Sequence, residues 1–349
     1  MLQNLSRFGS LLVAFGLFTT LAVAAARPID SLIGAERAFS ALSVAKGMRA
    51  AFLTYLADDA VVFRPGPING KQSWLVRRDV PGVLEWAPEF VELSGAGDLG
   101  FSTGPWMYRA SANAKEDHGH FVTVWRRNAR GAWEVALDCG TSHPRPEHGP
   151  REVKVREGPG HAPPDSNAWK RSGFEVGAGM GRGGASIGVG TGAGVSVGSG
   201  GLGLGVGLFN AGVRSRADYE YRRTAHEKNQ LMAAERTLTW HARKSAWERA
   251  FREVSAGDLR TDLDGALPVL GPDAAAAAFQ GQPREATWEY RGNGVAKSWD
   301  LGYAYGLMIA RARGAARPDT GAFAHLWRKD DTGQWRMVIA WESPFSKRK

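Results

Sequence analysis

The sequence predicts an α+β fold made twice, each time as a curved antiparallel sheet wrapped around a long helix, with a glycine-rich linker between the two. Three observations carry this. The C-terminal third re-reads the N-terminal third: Ala35-Glu36-Arg37 returns as Ala234-Glu235-Arg236, and Ala51-Phe52 and Asp59 return as Ala250-Phe251 and Asp258, all 199 positions later. After a net shift of three the offset is 202, and Trp86, Asp98-Leu99-Gly100, Gly104, Trp125-Arg126, Gly131 and Trp133 return as Trp288, Asp300-Leu301-Gly302, Gly306, Trp327-Arg328, Gly333 and Trp335. Each copy also opens on apolar residues at helical spacing and closes on two β-type runs around a polar turn. Two copies at so long a period indicate a duplicated globular domain, since solenoid units run about 20 to 50 residues.

The elements follow in order. Over residues 33–57 the apolar positions Ala35, Phe39, Leu42, Met48, Phe52 and Leu56 predict one helix that Asp58-Asp59 ends. A short strand over residues 60–63 is closed by the turn Pro65-Gly66-Pro67. Residues 121–126 and 133–139, around Arg127-Asn128-Ala129-Arg130-Gly131, predict a hairpin. Its twin spans residues 323–328 and 335–341 around Asp330-Asp331-Thr332-Gly333. The domains therefore cover residues 33–143 and 231–345.

The linker, residues 144–230, begins with a Pro-, Glu-, Arg- and His-rich stretch through Asn167 that reads as solvated. Between Gly173 and Gly212 it changes: 17 of those 40 residues are glycine, and nothing is charged from Gly183 to Val213. Ile187, Val189, Val195 and Val197 alternate on odd positions, and Leu202, Leu204, Val206 and Leu208 on even ones, with Gly198-Ser199-Gly200-Gly201 between. A glycine-rich hairpin fits, but glycine gives strands little to pack, so a mobile linker, a self-associating β segment and a membrane contact all stay open.

Residues 1–26 carry the parts of an export signal: Arg7, the apolar run from Leu11 to Val23, and the small-residue cleavage choices Ala22-Val23-Ala24 and Ala24-Ala25-Ala26. A periplasmic or secreted protein is expected, the alternative being an uncleaved anchor. The one cysteine, Cys139, excludes an intramolecular disulfide. A net charge of +9 arises from scattered Arg and Lys, and no nucleic-acid motif accompanies it, so no nucleic-acid partner is expected.

Taken together, Ala35-Glu36-Arg37-Ala38-Phe39, Leu56-Ala57-Asp58-Asp59-Ala60, Phe63-Arg64-Pro65-Gly66-Pro67, Gly97-Asp98-Leu99-Gly100, Thr103-Gly104-Pro105-Trp106 and Val124-Trp125-Arg126-Arg127 resemble the nuclear transport factor 2-like (NTF2-like) superfamily, in its uncharacterised branch related to SnoaL-like cyclases and ketosteroid isomerases. The resemblance implies tandem cone-shaped domains, each enclosing one pocket. It implies no reaction.

In the first hairpin, His120, Val122 and Val124 match the parity of Glu134, Ala136 and Asp138, which puts His120 beside Asp138 if the pairing is symmetrical about the turn. A carboxylate beside an imidazole is minimal equipment for acid-base chemistry, and a solvent-facing ion pair is the other reading of the same two residues. His118 adds a second imidazole, but no third ligand spacing supports a metal, and no cofactor is expected. At offset 202 the counterparts of His118, His120 and Asp138 are Thr320, Ala322 and Ala340, so chemistry is expected in the first copy, while His325 and Glu342 are polar residues new to the second. Trp74 and Trp106 lack tryptophan counterparts and, with Tyr108, are the expected pocket aromatics; the recurring Trp86, Trp125 and Trp133 read as core. Arg64 is placed to meet an anionic ligand.

Two functions are then consistent with the chain. One is a binding protein whose cone holds a hydrophobic small molecule and whose glycine-rich segment contacts an envelope partner. The other is an isomerase-, cyclase- or hydrolase-like enzyme with Asp138 as base and His120 as its partner. In either case the two copies are expected to dock as an intramolecular pseudo-dimer, covering such strand residues as Val135 and Leu137, or Met337 and Ile339.

Overall fold

A computed structural model describes residues 27–63, 66–147, 149, 151–158, 175–181, 184–190, 196–198, 201–203, 215–244, 247–280, 284–312 and 318–344. The export signal and Arg64 lie outside these residues. The N-terminal half runs α1 (Pro28–Lys46), α2 (Met48–Tyr55), β1 (Leu56–Phe63), β2 (Pro67–Asn69), α3 (Gly70–Val76), β3 (Val83–Trp86), β4 (Phe90–Leu93), β5 (Leu99–Arg109), β6 (Asp117–Arg127), β7 (Trp133–His143) and β8 (Lys154–Glu157). The glycine-rich stretch contributes two short antiparallel pairs, β9 (Glu175–Gly181) with β10 (Gly184–Gly190) and β11 (Ser196–Gly198) with β12 (Gly201–Gly203). The C-terminal half follows as α4 (Arg216–Ala242), α5 (Trp247–Val254), β13 (Ser255–Leu263), β14 (Val269–Leu270), α6 (Pro272–Gln280), β15 (Arg284–Val295), β16 (Leu301–Ala312), β17 (Asp319–Lys329) and β18 (Trp335–Pro344).

The predicted α+β class is the observed one: two curved, mostly antiparallel sheets, each with its helices on one face. Their strand orders are β2-β1-β7-β6-β5-β4-β8, with β3 also on β5, and β14-β13-β18-β17-β16-β15. In each the first long strand joins the last in parallel, β1 on β7 and β13 on β18.

Four expectations need correction. The single helix over residues 33–57 is two, because Gly47 takes φ +85° and breaks the hydrogen-bond ladder, and Leu56–Asp59 already belong to β1. The solvated start of the linker includes β8, which pairs in parallel with β4 and extends the sheet. Helix α4 starts at Arg216, well before residue 231, with Ser215 Oγ accepting from the Asp218 amide. Finally, Val135 does not share a face with Leu137, nor Met337 with Ile339. A β-bulge between Val124 and Trp125 opposes Ala136 to no partner, and its twin between Leu326 and Trp327 does the same for Val338. One extra residue flips every later side chain to the other face.

The bulges decide the packing. Val135 and Met337 turn to the helix side and join the two cone interiors, whereas Leu137 and Ile339 turn outward into a third apolar cluster built from both sheets. That cluster uses equivalent positions from the two halves: Leu99 and Leu301, Val124 and Leu326, Leu137 and Ile339, Cys139 and Trp341. Each such fully buried aliphatic side chain contributes about 1.5 to 3 kcal/mol. At the edge of this contact the hydrogen bonds are reciprocal. Asp300 Oδ2 accepts from the Gly95 amide at 2.7 Å, Asp98 Oδ2 accepts from the Lys297 amide at 3.2 Å, and Ser298 Oγ accepts from the Ala96 amide at 3.0 Å. Gly95 and Lys297 are themselves 202 positions apart, as are Ala96 and Ser298 and the two aspartates. The bonds therefore join equivalent positions of the two halves in both directions.

The repeated glycines of Asp-Leu-Gly have a steric cause. A Cβ on Gly100 would lie 2.5 Å from Leu32 Cδ2, and one on Gly302 would lie 2.7 Å from Leu231 Cδ1. Helix and sheet meet there with no space for a side chain.

Candidate functional site

The interior of each cone is anchored on a buried glutamate delivered by its long helix. Glu36, on α1, accepts hydrogen bonds from Trp86 Nε1 at 2.5 Å, from Trp125 Nε1 at 2.7 Å and, very closely, from Ser102 Oγ. Burial pushes its carboxyl up, and these three donors only partly offset it. Glu235, on α4, accepts from Trp327 Nε1 at 2.7 Å and from Tyr290 OH at 3.2 Å, and lies 3.1 Å from His325 Nδ1. The Ala-Glu-Arg repeat and the second tryptophan repeat are therefore the two ends of one buried contact, made in both halves. Their recurrence was legible, but the carboxyl-indole pairing was not, because a helix-to-sheet contact has no sequence spacing of its own.

Outward from Glu36 the N-terminal cone opens into a cavity of about 1420 Å³. Its wall is aromatic: Phe52, Trp74, Trp86, Trp106, Tyr108 and Phe121 line it. Trp74, on α3, stacks on Phe52 with ring centroids 4.4 Å apart, and the Arg77 guanidinium lies 4.4 Å from the Trp74 ring. Trp106 lies across the floor of the sheet, where Gly119 leaves the space: a Cβ there would come within 2.3 Å of the indole. Its Nε1 donates to the His120 carbonyl at 3.2 Å. His118 and Asp138 also line the wall. The C-terminal half closes one side, because Asp264 Oδ1 accepts from the Ser142 amide at 2.9 Å and brings Leu263, Asp264 and Gly265 to the rim.

Trp74, Trp106, Tyr108, His118 and Asp138 all line one cavity. His120 does not. The bulge places Asp138 opposite Thr123 and His120 opposite Thr141, on opposite faces of the sheet. Asp138 faces the cone, where Thr123 Oγ1 donates to its Oδ2 at 2.9 Å. His120 faces the other half, and its Nδ1 lies 2.6 Å from His143 Nε2. His143 Nδ1 lies 2.7 Å from the Pro144 carbonyl, which only accepts, so His143 carries its proton on Nδ1 and His120 must donate to the free Nε2. Burial, aided by Arg260 and His143, pulls the His120 imidazole down to about 3, leaving it neutral across the physiological range. Among the described residues no group of three His, Cys, Asp or Glu side chains is arranged to hold a metal ion. Sequence reasoning missed Phe52 and Phe121 on the wall and Thr123 beside Asp138, whose inward direction depends on the fold; Glu342, read in the sequence only as a polar residue new to the second copy, reaches the same cavity from the C-terminal half.

No family profile and no curated protein matches this chain. Solved structures do. An NTF2-like protein with a cystatin-like fold from Novosphingobium aromaticivorans is 15% identical, with 39% of this chain and 93% of that one aligned and a TM-score of 0.33. A ketosteroid isomerase-like protein from Erwinia carotovora atroseptica is 18% identical over 33% of this chain and 94% of that one, with a TM-score of 0.30. An NTF2-like protein of unknown function from Shewanella oneidensis is 14% identical over 33% and 98%, with a TM-score of 0.29.

Proposed function

We propose that the protein binds an apolar small molecule with a ring-shaped body in the cavity of the N-terminal cone. The observation that carries this reading is the convergence of Trp74, Trp106, Tyr108 and Phe121 on one cavity, whose remaining wall carries polar and charged residues such as Arg77, Arg109, Glu116, His118 and Asp138. Rigid aromatic walls desolvate a flat ligand at little entropic cost, and the scattered polar groups orient it. Native mass spectrometry of the purified protein should find a bound molecule that is lost when Trp74 and Trp106 are both replaced by Ala. Absence of any such species, together with no tryptophan quenching by naphthalene-type probes, would overturn it.

A second reading is favoured by one observation, that Asp138 faces the same cavity and is held by Thr123. Asp138 then acts as a general base on a carbon acid, without His120. Exchange of a ring ketone's α-hydrogens for deuterium, followed by NMR and abolished in Asp138→Asn, distinguishes catalysis from binding.

The same proposal treats the chain as exported, with residues 1–26 removed, as two tandem copies of one domain docked in a single chain, and with the glycine-rich segment as linker and envelope contact. Support comes from the apolar run before Ala24, the 202-residue register, the reciprocal bonds of Asp98 and Asp300, and the uncharged stretch from Gly183 to Val213. Intact mass tests the first point, since a mass retaining Met1 excludes cleavage. Cleaving the linker tests the docking: the halves should still co-elute in gel filtration.

A further inference from the structure

The C-terminal cone holds a row of ionisable side chains that the N-terminal cone lacks. It begins at Glu235, fully buried on α4 and fixed by Trp327 and Tyr290. Next comes His325 on β17, 1% exposed, whose Nδ1 faces Glu235. Its other nitrogen, Nε2, has no hydrogen-bond partner and lies 4.0 Å from Glu342 Oε1. Glu342 is on β18, opposite Phe323 of β17 and Leu263 of β13, and it forms part of the cavity wall. The row thus runs from a sealed carboxylate to the cavity surface. In the N-terminal half the corresponding positions are Glu36, Thr123 and Gly140. Each cone nevertheless pairs an inward acid on its last long strand with the same neighbouring position, Asp138 with Thr123 and Glu342 with His325.

From this geometry we infer that Glu342, with His325 behind it and Glu235 holding His325, is a proton-exchanging site on the C-terminal wall of the cavity, suited to a ligand with a phenolic or enolic hydroxyl. Glu235 accepts the Nδ1 proton, which leaves a lone pair on Nε2 directed at Glu342. The ligand's O–H proton passes to a Glu342 oxygen and from there to Nε2, the O–H bond breaking as the carboxyl and then the N–H bond form. The anion left on the ligand is balanced by an imidazolium between two carboxylates. At 4.0 Å the two atoms are beyond a direct hydrogen bond, so the transfer requires a change of the Glu342 rotamer. The groups facing His325 are Glu235 from α4, Glu342 from β18, and Tyr290 of β15 through Glu235. Glu342 is the contacting group, and His325 and Glu235 position it. The inference uses the cavity of the proposed binding function but none of its aromatic residues.

The test uses the full chain and dicyclohexylcarbodiimide, an apolar reagent that attaches covalently to protonated carboxyls within apolar sites, with the labelled residue found by peptide mass spectrometry. Glu342 should be labelled while the sealed Glu36 and Glu235 are not. His325→Gln, which keeps a donor toward Glu235 but cannot take a proton, should label Glu342 roughly tenfold faster at neutral pH, because the carboxyl then keeps its proton. Unaltered Glu36 and Glu235 in that variant show that it has folded. Should it not fold, the unaltered chain still decides: Glu342 must be labelled while Glu36 and Glu235 are spared. A Glu342 that is never labelled, or a rate indifferent to His325→Gln, overturns the inference. Labelled Glu342 in a protein that binds no aromatic probe would instead sink the binding function and leave this site standing.

Discussion

The two halves place the same arginine in two different physical situations. Arg126 of the N-terminal half chelates Asp59 and Glu134 on a surface where Asp59 is 68% exposed. Arg328, its counterpart, keeps the equivalent aspartate, Asp258, at 2.7 Å and reaches across to Glu92 of the other sheet at 2.8 Å, in a site where Glu92 is 1% exposed. One repeated Arg-Asp pair is thus a surface clasp in one half and part of a buried bridge in the other. What a recurring residue does is set by what covers it, and here the cover is the other sheet.

The largest test of that contrast is the pair of alanine variants. Arg328→Ala strands the Glu92 carboxyl without its nearest cation and should cost about 3 to 5 kcal/mol, whereas Arg126→Ala should cost less than about 1. Equal losses in denaturant melts would remove the asymmetry. Nearly as large should be Glu36→Leu, at about 3 kcal/mol, because two indoles and a buried hydroxyl lose their acceptor together.

Acid titration sharpens the comparison, since the buried groups are displaced in opposite directions. Burial pushes Glu92 up to about 7, with Arg328 and Arg156 drawing it only partly back. Between roughly 4.3 and 7 the folded chain then holds a proton that the unfolded chain has released, so this group's contribution falls as pH rises. Glu36 and Asp262, also raised by burial, act in the same sense. His120 does the reverse: folded, it stays neutral to about 3, while the unfolded imidazole protonates below about 6.5, so its contribution is lost as pH falls through that window. His120→Gln should therefore gain about 2 kcal/mol at pH 4.5 relative to pH 7 when compared with the unaltered chain, and Glu92→Gln should shift in the opposite direction. Parallel stability-pH curves for all three proteins would contradict this. The smallest effect belongs to the reciprocal edge bonds: Asp98→Ala and Asp300→Ala should each cost about 1 kcal/mol and, sharing one contact, should not add fully when combined. Strict additivity would mean the two bonds are independent.

Much of this was written in the sequence, and the failures have one cause. The repeat register and the turn signals gave the α+β class and both hairpins, because periodicity and turn chemistry are local properties. The pairing of His120 with Asp138 failed on a single residue: nothing in Val122-Thr123-Val124-Trp125 announces a bulge, yet its presence sends the two side chains to opposite faces. The break at Gly47 was readable as glycine in a helical run, but continuous apolar spacing on either side outweighed it. Glu36 stood in plain view within a repeated tripeptide, and its meaning required the tryptophans that the sheet brings to it from fifty and eighty-nine positions away.

The reciprocal contact of Asp98 and Asp300 also bears on how such a molecule changes. In a pair of identical chains every substitution is made on both sides of the axis, so a histidine introduced at position 123 would enter both cavities at once and displace the hydroxyl that holds Asp138. In a single chain the two positions are separate codons. Threonine can remain at 123 while histidine occupies 325, and the partnership itself, preserved by the shared face, does not require the two interiors to agree.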